Sequence, residues 1–287
     1  MPELPEVQAL AEFLTERCRG RHVAGVEVAA INALKTFDPP VTALGGLAVN
    51  GVIRHGKFLD LDADGVHLVI HLARAGWIRW SEQLPSGPAK PGKGPLALRV
   101  RLDDGSGFDV TEAGTQKRLS VSVVLDPADV PGVARLGPDP LADGFDQAAF
   151  EEIVQAHPRQ QLKGLLRDQG LIAGVGNAYS DEVLHAAQIS PFKPAGNLTP
   201  SESQRVYGAL RDVLTTAVDA ARGLEAKELK DGKRMRMRVH GRAGQECAVC
   251  GDKVREVSFA DSSMQYCATC QTGGKPLADR RLSRLLK

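Results

Sequence analysis

Residues 247–270 read CAVCGDKVREVSFADSSMQYCATC. Two Cys-x2-Cys pairs, Cys247/Cys250 and Cys267/Cys270, stand sixteen residues apart, which is the spacing of a tetrahedral four-thiolate zinc site: each pair sits on a tight knuckle and supplies two ligands. Four protein ligands leave no open coordination position, so one Zn2+ here is structural, contributing to folding rather than to chemistry. The segment between the knuckles then reads as a hairpin held up by the metal. The fifth cysteine, Cys18, stands alone on an apolar helical spacing and reads as a core residue.

Outward from this cluster the chain is strongly polarised in charge. The 287 residues carry 36 Lys+Arg against 35 Asp+Glu, yet the last 66 residues are net +7 and the first 221 net −6. A basic C-terminal region points to a polyanionic partner. The composition, 43% hydrophobic and 25% charged, is that of a folded globular protein. No apolar run approaches the roughly 18–20 residues that span a bilayer, and MPELPEVQAL has acidic residues where a secretory leader needs a basic flank. A cytoplasmic protein, nucleoid-associated if bacterial, with no membrane partner is the expectation.

The patterning predicts an α+β multidomain chain. Leu10, Ala11, Leu14 and Cys18 space a helix over residues 8–18, closed by Gly20. From Val23 to Leu125 short β-rich runs alternate with Asp-Gly and Gly-Pro turns, the pattern of an antiparallel sandwich or barrel. Pro127, Pro131, Pro138 and Pro140 interrupt regular structure over residues 126–143, the signature of a linker. Helical spacing resumes over 147–157, 159–169, 179–187 and 200–222. The expected domains are 1–130, a β-sandwich; 131–229, helical; 237–273, the zinc finger; and 274–287, a basic tail.

Two further segments carry chemistry. Gly170-Leu-Ile-Ala-Gly-Val-Gly-Asn-Ala-Tyr179 opens a helix with three glycines, a turn that lets backbone N–H groups approach a phosphate; a plain helix–helix turn fits the same residues. Lys163 and Arg167 upstream, with Asn177 and Tyr179, favour the phosphate reading. At the N-terminus, Met followed by Pro is a substrate for methionine removal, which would leave Pro2 as a secondary amine with a pKa of about 8. Such an amine attacking an aldehydic carbon forms an iminium directly, an electron sink for elimination chemistry, with Glu3 and Glu6 beside it as proton donor and acceptor. Taken alone, the segment is better explained as an acidic frayed terminus; the other segments of the chain shift the reading toward chemistry.

The segments in combination resemble the Fpg/Nei (formamidopyrimidine-DNA glycosylase / endonuclease VIII) family along almost the whole chain. The anchors are PELPEV at 2–7, RHGKFL around Lys57, HLARAG at 71–76, LGPDPL at 136–141, GVGNAYSDEVL at 174–184, VHGRAGQEC at 239–247 and CATCQ at the end of the finger. The resemblance implies an N-terminal helix-capped antiparallel β-sandwich, a helix-two-turn-helix α-helical domain and a four-cysteine zinc-finger β-hairpin, with damaged DNA as partner of a monomer. It implies a bifunctional glycosylase and abasic-site lyase of base excision repair that flips a nucleotide out of the duplex. By position, Pro2 would attack C1′ of the lesion nucleotide, Glu3 would transfer a proton at the opening sugar, Glu6 would be a second carboxylate of the site, and Lys57 would bind phosphate. Lys163, Asn177 and Tyr179 would grip the backbone, and Arg236 and Arg238, with Lys230, Lys233 and Arg234, could track phosphates; a solvated basic strand is the bland reading of that stretch.

Three positions depart from the family pattern. HLARAG places Arg74 where typical members carry a Met that fills the gap left by the flipped nucleotide. The segment usually written DPRRFG, which adds an Arg and a Phe to that gap, is here Thr111-Glu-Ala-Gly-Thr-Gln116, followed by Lys117 and Arg118. The finger's phosphate-binding Arg is replaced by Ser262. Either the chemistry persists with altered lesion specificity, on duplex, bubble or single-stranded DNA, or the protein binds damaged or distorted DNA with reduced catalysis. Arg74 could itself occupy the gap by stacking its guanidinium on a base.

Overall fold

The first helix, α1 (Leu4–Cys18), begins four residues before its apolar spacing predicts. Glu3 is its N-cap, and Glu3 and Glu6 form a reciprocal capping box that satisfies two of the helix's orphan N–H groups. Pro5, in the first turn, costs no hydrogen bond there. The helix buries Val7, Leu10, Leu14 and Cys18. In this computed structural model residues 1–89, 94–259 and 262–278 are described.

By its own contacts the chain divides into two units, the first being Met1–Leu136 with Ala221–Lys230. Its strands are β1 (Val23–Val28), β2 (Val49–His55), β3 (Phe58–Ala63), β4 (Val66–His71), β5 (Gly76–Ser81), β6 (Leu96–Leu102), β7 (Gly107–Glu112) and β8 (Ser120–Val124). They form two four-stranded antiparallel sheets, ordered β1-β6-β7-β5 and β2-β3-β4-β8. Period-two alternation sends Leu59, Leu61 and Ala63 of β3, and Leu98, Val100 and Leu102 of β6, into one core with α1. The Thr15 hydroxyl ties α1 to β2, accepting from the Val52 N–H at 2.8 Å and lying 3.1 Å from its carbonyl. On the other face of β3, buried Asp60 bonds His55 at 3.0 Å and His67 at 2.9 Å, so a carboxylate there is satisfied by two imidazoles.

The proline-rich stretch at 126–143 is less irregular than expected: it holds a 3-10 turn at Pro127–Asp129 and α2 (Pro131–Ala134). A Cβ on Gly132 would lie 2.5 Å from the Phe58 ring, so any larger residue there must displace that ring. By contacts, Ala221–Lys230, which takes in the last residues of the expected helical domain at 131–229, groups with the first unit. Ala221, Ala226 and Leu229 join the sandwich core, the Trp77 indole donates to the Ala226 carbonyl at 2.8 Å, and the Lys230 ammonium lies 4.4 Å from the Trp77 ring.

The second unit comprises Gly137–Ala220 and the described residues from Asp231 on. It contains α3 (Gln147–Ala156), α4 (Leu162–Arg167), α5 (Asn177–Ala186) and α6 (Pro200–Ala221), then α7 (Leu229–Arg236), which straddles the boundary, β9 (Val254–Ser258), β10 (Ser263–Cys267) and α8 (Ala268–Thr272). The basic stretch, whose bland reading is a solvated strand, is helical over Leu229–Arg236. The antiparallel β9–β10 hairpin spans the two cysteine pairs. Among the described residues no helix is long and apolar enough to cross a membrane.

Candidate active site and nucleic-acid interface

In the first unit, Pro2 is buried, and the carboxylates next to it are 2% exposed each. The Glu3 N–H donates to Glu6 Oε2 at 2.9 Å while the Glu3 side chain accepts from the Glu6 N–H. The two acids that the resemblance places at the nucleophile are therefore locked to the helix start. Along α1, Thr15 pairs with Val52, and Gln8 accepts from Arg54 at 2.8 Å. The same direction carries the Pro2 end toward the β2–β3 turn, where Gly56 takes φ +56° and Lys57 follows, 8% exposed. Opposite Phe58 in the register is His71, its ring 4.7 Å from the Phe58 ring. Burial, then the Lys57 charge, lowers the His71 pKa to about 4, so this imidazole is neutral at physiological pH.

Arg74 is exposed on the turn between β4 and β5. The turn is closed by the Gly76 N–H donating to the Leu72 carbonyl at 2.8 Å, with Ala73 at φ +50°. A Cβ on Gly76 would sit 2.0 Å from that carbonyl oxygen, which makes glycine obligatory. The loop after β7, where the resemblance leads one to expect an Arg and a Phe, is organised by Glu112: its buried carboxylate accepts from the Arg118 and Leu119 N–H groups at 2.9 and 3.1 Å, and the Lys117 ammonium bonds the Glu112 carbonyl.

In the second unit, Gly174 at φ +86° and Gly176 at the N-cap shape the turn into α5, and the Gln169 amide braces it, accepting from the Gly174 N–H and donating to the Val175 carbonyl. Asn177 opens the helix, its Nδ2 donating to the Ser263 carbonyl of the hairpin at 2.7 Å and its Oδ1 buried without a hydrogen bond among the described residues. Two expected phosphate contacts face inward instead. Lys163 is 5% exposed, its ammonium on Asp181 at 2.5 Å, the Ser180 hydroxyl at 2.9 Å and the Asn177 carbonyl at 3.2 Å. Tyr179 is 2% exposed beneath the Lys233 ammonium, 4.6 Å from the ring centre. Arg236 is half-buried, donating to the Ala220 carbonyl at 3.3 Å, whereas the Arg238 side chain is exposed.

The consecutive acids of α5 carry no signal in the sequence that marks them out. The Asp181 carboxylate also takes the His240 imidazole at 2.8 Å and the Gln265 N–H at 3.2 Å. Glu182 accepts the backbone N–H groups of Arg238, Val239 and His240 at 2.8–2.9 Å. Burial raises the Glu182 carboxyl above its usual range, and these three donors pull the other way. One helical turn thus joins α4, the 238–240 loop and β10. Acidic residues beside a glycine turn read as a solvated helix face in one dimension; only tertiary pairing gives them partners.

The Sγ atoms of Cys247, Cys250, Cys267 and Cys270 all lie within 4.8 Å of one another. Four soft donors converging at this spacing fit a closed tetrahedral zinc site. His185, buried, places Nε2 3.2 Å from Cys247 Sγ, the position of an outer-sphere hydrogen bond that orients a ligand.

Three family models match in chain order: the formamidopyrimidine-DNA glycosylase N-terminal domain at residues 1–117, the formamidopyrimidine-DNA glycosylase H2TH domain at 136–228, and the zinc finger found in FPG and IleRS at 244–273. An uncharacterized formamidopyrimidine-DNA glycosylase-like protein of Mycobacterium tuberculosis is 52% identical over 56% of this chain and 99% of its own length. A formamidopyrimidine-DNA glycosylase of Symbiobacterium thermophilum is 34% identical over 98% of this chain and 93% of its own. In fold, the chain matches Lactococcus lactis formamidopyrimidine-DNA glycosylase, solved non-covalently bound to DNA containing an AP site, with a TM-score of 0.80 at 24% identity, covering 94% of this chain and 99% of that one. With relatives aligned from end to end and the four-cysteine finger holding one structural zinc, the chain belongs to the formamidopyrimidine-DNA glycosylase (Fpg/Nei) family of DNA glycosylases and AP lyases.

Proposed function

We propose that this protein excises a damaged base through an iminium at Pro2, cleaves the strand by β- and then δ-elimination, and selects its lesions differently from typical members. After Met1 is removed, the Pro2 amine attacks C1′ and the damaged base leaves with the amine proton; a proton delivered to the ring oxygen then breaks the C1′–O4′ bond and gives the charged iminium. Protons next to the iminium are acidified, and their loss expels first the 3′ and then the 5′ phosphate without a water-activating metal. Glu3 serves the proton transfers at the sugar, and Glu6 holds Glu3 by its backbone. Lys57 and the exposed Arg238 bind phosphates, as does Arg236 through its outer edge. Asn177 sets the glycine turn against the hairpin, and Lys163 and Tyr179 position that turn from beneath.

The observation that carries this reading is the buried Glu3–Glu6 box directly beside Pro2. Altered lesion reading is supported by Arg74 at its turn tip, by a 113–118 loop built around Glu112, and by Ser262. The same three features favour the second reading, a DNA-structure binder with reduced catalysis. Borohydride trapping on abasic DNA separates them. The lyase forms a covalent adduct on protein whose mass lacks Met1, and Pro2→Gly abolishes or sharply lowers it. Salt-sensitive binding with no adduct from the processed protein would establish the binder instead.

A further inference from the structure

We propose that Met235 is the apolar side chain this protein inserts between bases of duplex DNA, a specificity element that rests on the glycosylase reading above. Neither place where the family carries such a side chain offers one here: the β4–β5 turn presents Arg74, and the loop at 113–118 contains only Ala, Gly, Thr, Gln, Lys and Arg. Yet Met235 is 75% exposed, and of the exposed large apolar side chains among the described residues it alone has an arginine on each side.

The backbone beneath it is held. On α7, Gly232 is buried and the Lys233 ammonium sits on the Tyr179 ring. The Arg242 guanidinium donates to the carbonyls of Arg234 and Met235 at 3.3 Å each, and to that of Met237 at 3.1 Å, closing the last turn of the helix. Met237, two residues on, is 7% exposed and fixes which side faces in. What remains outward is Met235 with the side chain of Arg234, 81% exposed, and then Arg238.

Cations on a rigid element draw the phosphate backbone to that face, so its apolar member meets bases rather than a protein partner. An unbranched, polarisable thioether adapts to a base face and, like other large apolar side chains, can wedge into a base step. A wedge on a helix also relieves Arg74 of that role.

The test uses full-length zinc-loaded protein and a duplex bearing a tetrahydrofuran abasic analogue with 2-aminopurine in the opposing strand. Binding of the unsubstituted protein is expected to raise 2-aminopurine fluorescence. Met235→Ala should lose most of that rise and at least tenfold of kcat/KM on lesion-bearing duplex, and Met235→Leu should restore both. Borohydride trapping on single-stranded abasic DNA should stay within about twofold, because no stack needs filling there. An unchanged fluorescence rise and unchanged duplex rate in Met235→Ala would overturn the proposal. The fluorescence needs binding only, so absence of trapping in every protein would sink the lyase reading while the wedge was still judged.

Discussion

Replacing Asp181 should destabilise the second unit by an amount that depends on whether Lys163 is left behind. The Asp181 side chain has no exposure and the Lys163 side chain 6%, so the pair at 2.5 Å is screened by almost no water. Removing one partner of a buried pair strands the other charge and costs about 3–5 kcal/mol; replacing both with neutral groups of similar volume is far less harmful. Asp181→Asn, which keeps the shape, should therefore cost about 3 kcal/mol, and Asp181→Ala, which also releases His240 and the Gln265 N–H, somewhat more. Lys163→Met with Asp181→Asn should return to within about 1–2 kcal/mol of the unsubstituted protein. Urea denaturation followed by helical circular dichroism reports mainly on the second unit, while Trp77 and Trp80, both in the first, give an internal comparison by fluorescence. A double variant as unstable as Asp181→Asn would refute the counterion account. The same protein tests the DNA contact: if Lys163 reached a phosphate, the double variant would lose about one unit of salt-dependence slope, and we expect no such loss.

His71 should make the first unit acid-sensitive. Its pKa is about 4 when folded against 6.5 as the reference, so the unfolded chain binds the extra proton between those values. Its contribution to stability is intact above pH 6.5 and falls by about 3 kcal/mol at pH 4, and His71→Phe should flatten the urea midpoint across that range; an equally steep variant would contradict this. Chelating the zinc, or Cys250→Ser, should unfold the β9–β10 hairpin, whose small core at the metal is Val239, Cys247, Val254 and Cys267, and lower DNA affinity at least tenfold without moving the tryptophan spectrum; metal analysis and a salt titration check both, and full affinity in zinc-free protein would argue against it. Gly76→Ala, forced against the Leu72 carbonyl, should lower first-unit stability by about 2–3 kcal/mol, read as the tryptophan unfolding midpoint, and a neutral result would show that the turn can open at no cost.

What can be read in one dimension is whatever obeys a local rule. The cysteine spacing is a coordination geometry written into the chain, and the alternation of β3 and β6 follows from the pleat, so the finger and the sandwich are both legible. Apolar spacing sets the start of α1 too late because Glu is an uncommon N-cap and two prolines look like an extended terminus, although a proline in the first turn suits a helix. The basic stretch at 229–236 gives no helical signal, having Gly232 in its middle and an almost wholly polar composition; Leu229 in the first core, Lys233 on Tyr179 and Arg242 at its end supply the stability its propensity lacks. Lys163 reads outward because a lysine before a phosphate-binding turn ordinarily faces solvent. Its partner lies eighteen residues away on another helix, and no spacing rule connects them.

The same distinction explains which parts of this site have diverged. Glu3 and Glu6 serve the helix whatever part they take in the proposed chemistry: each satisfies a backbone N–H of the other, both are buried, and replacing either would cost α1's first turn a cap. The turn that bears Arg74 is set in its backbone by Ala73 at φ +50° and by the Gly76 N–H on the Leu72 carbonyl. The loop after β7 is likewise held by the Glu112 carboxylate on two backbone N–H groups, with the Lys117 ammonium on the Glu112 carbonyl. Backbone bonds thus fix much of the shape of these two elements, whereas the start of α1 depends on the Glu3 and Glu6 side chains themselves. If lesion selection differs as proposed above, α7, pinned by Arg242 at its last turn and by Lys233 on the Tyr179 ring, is a rigid element able to carry it.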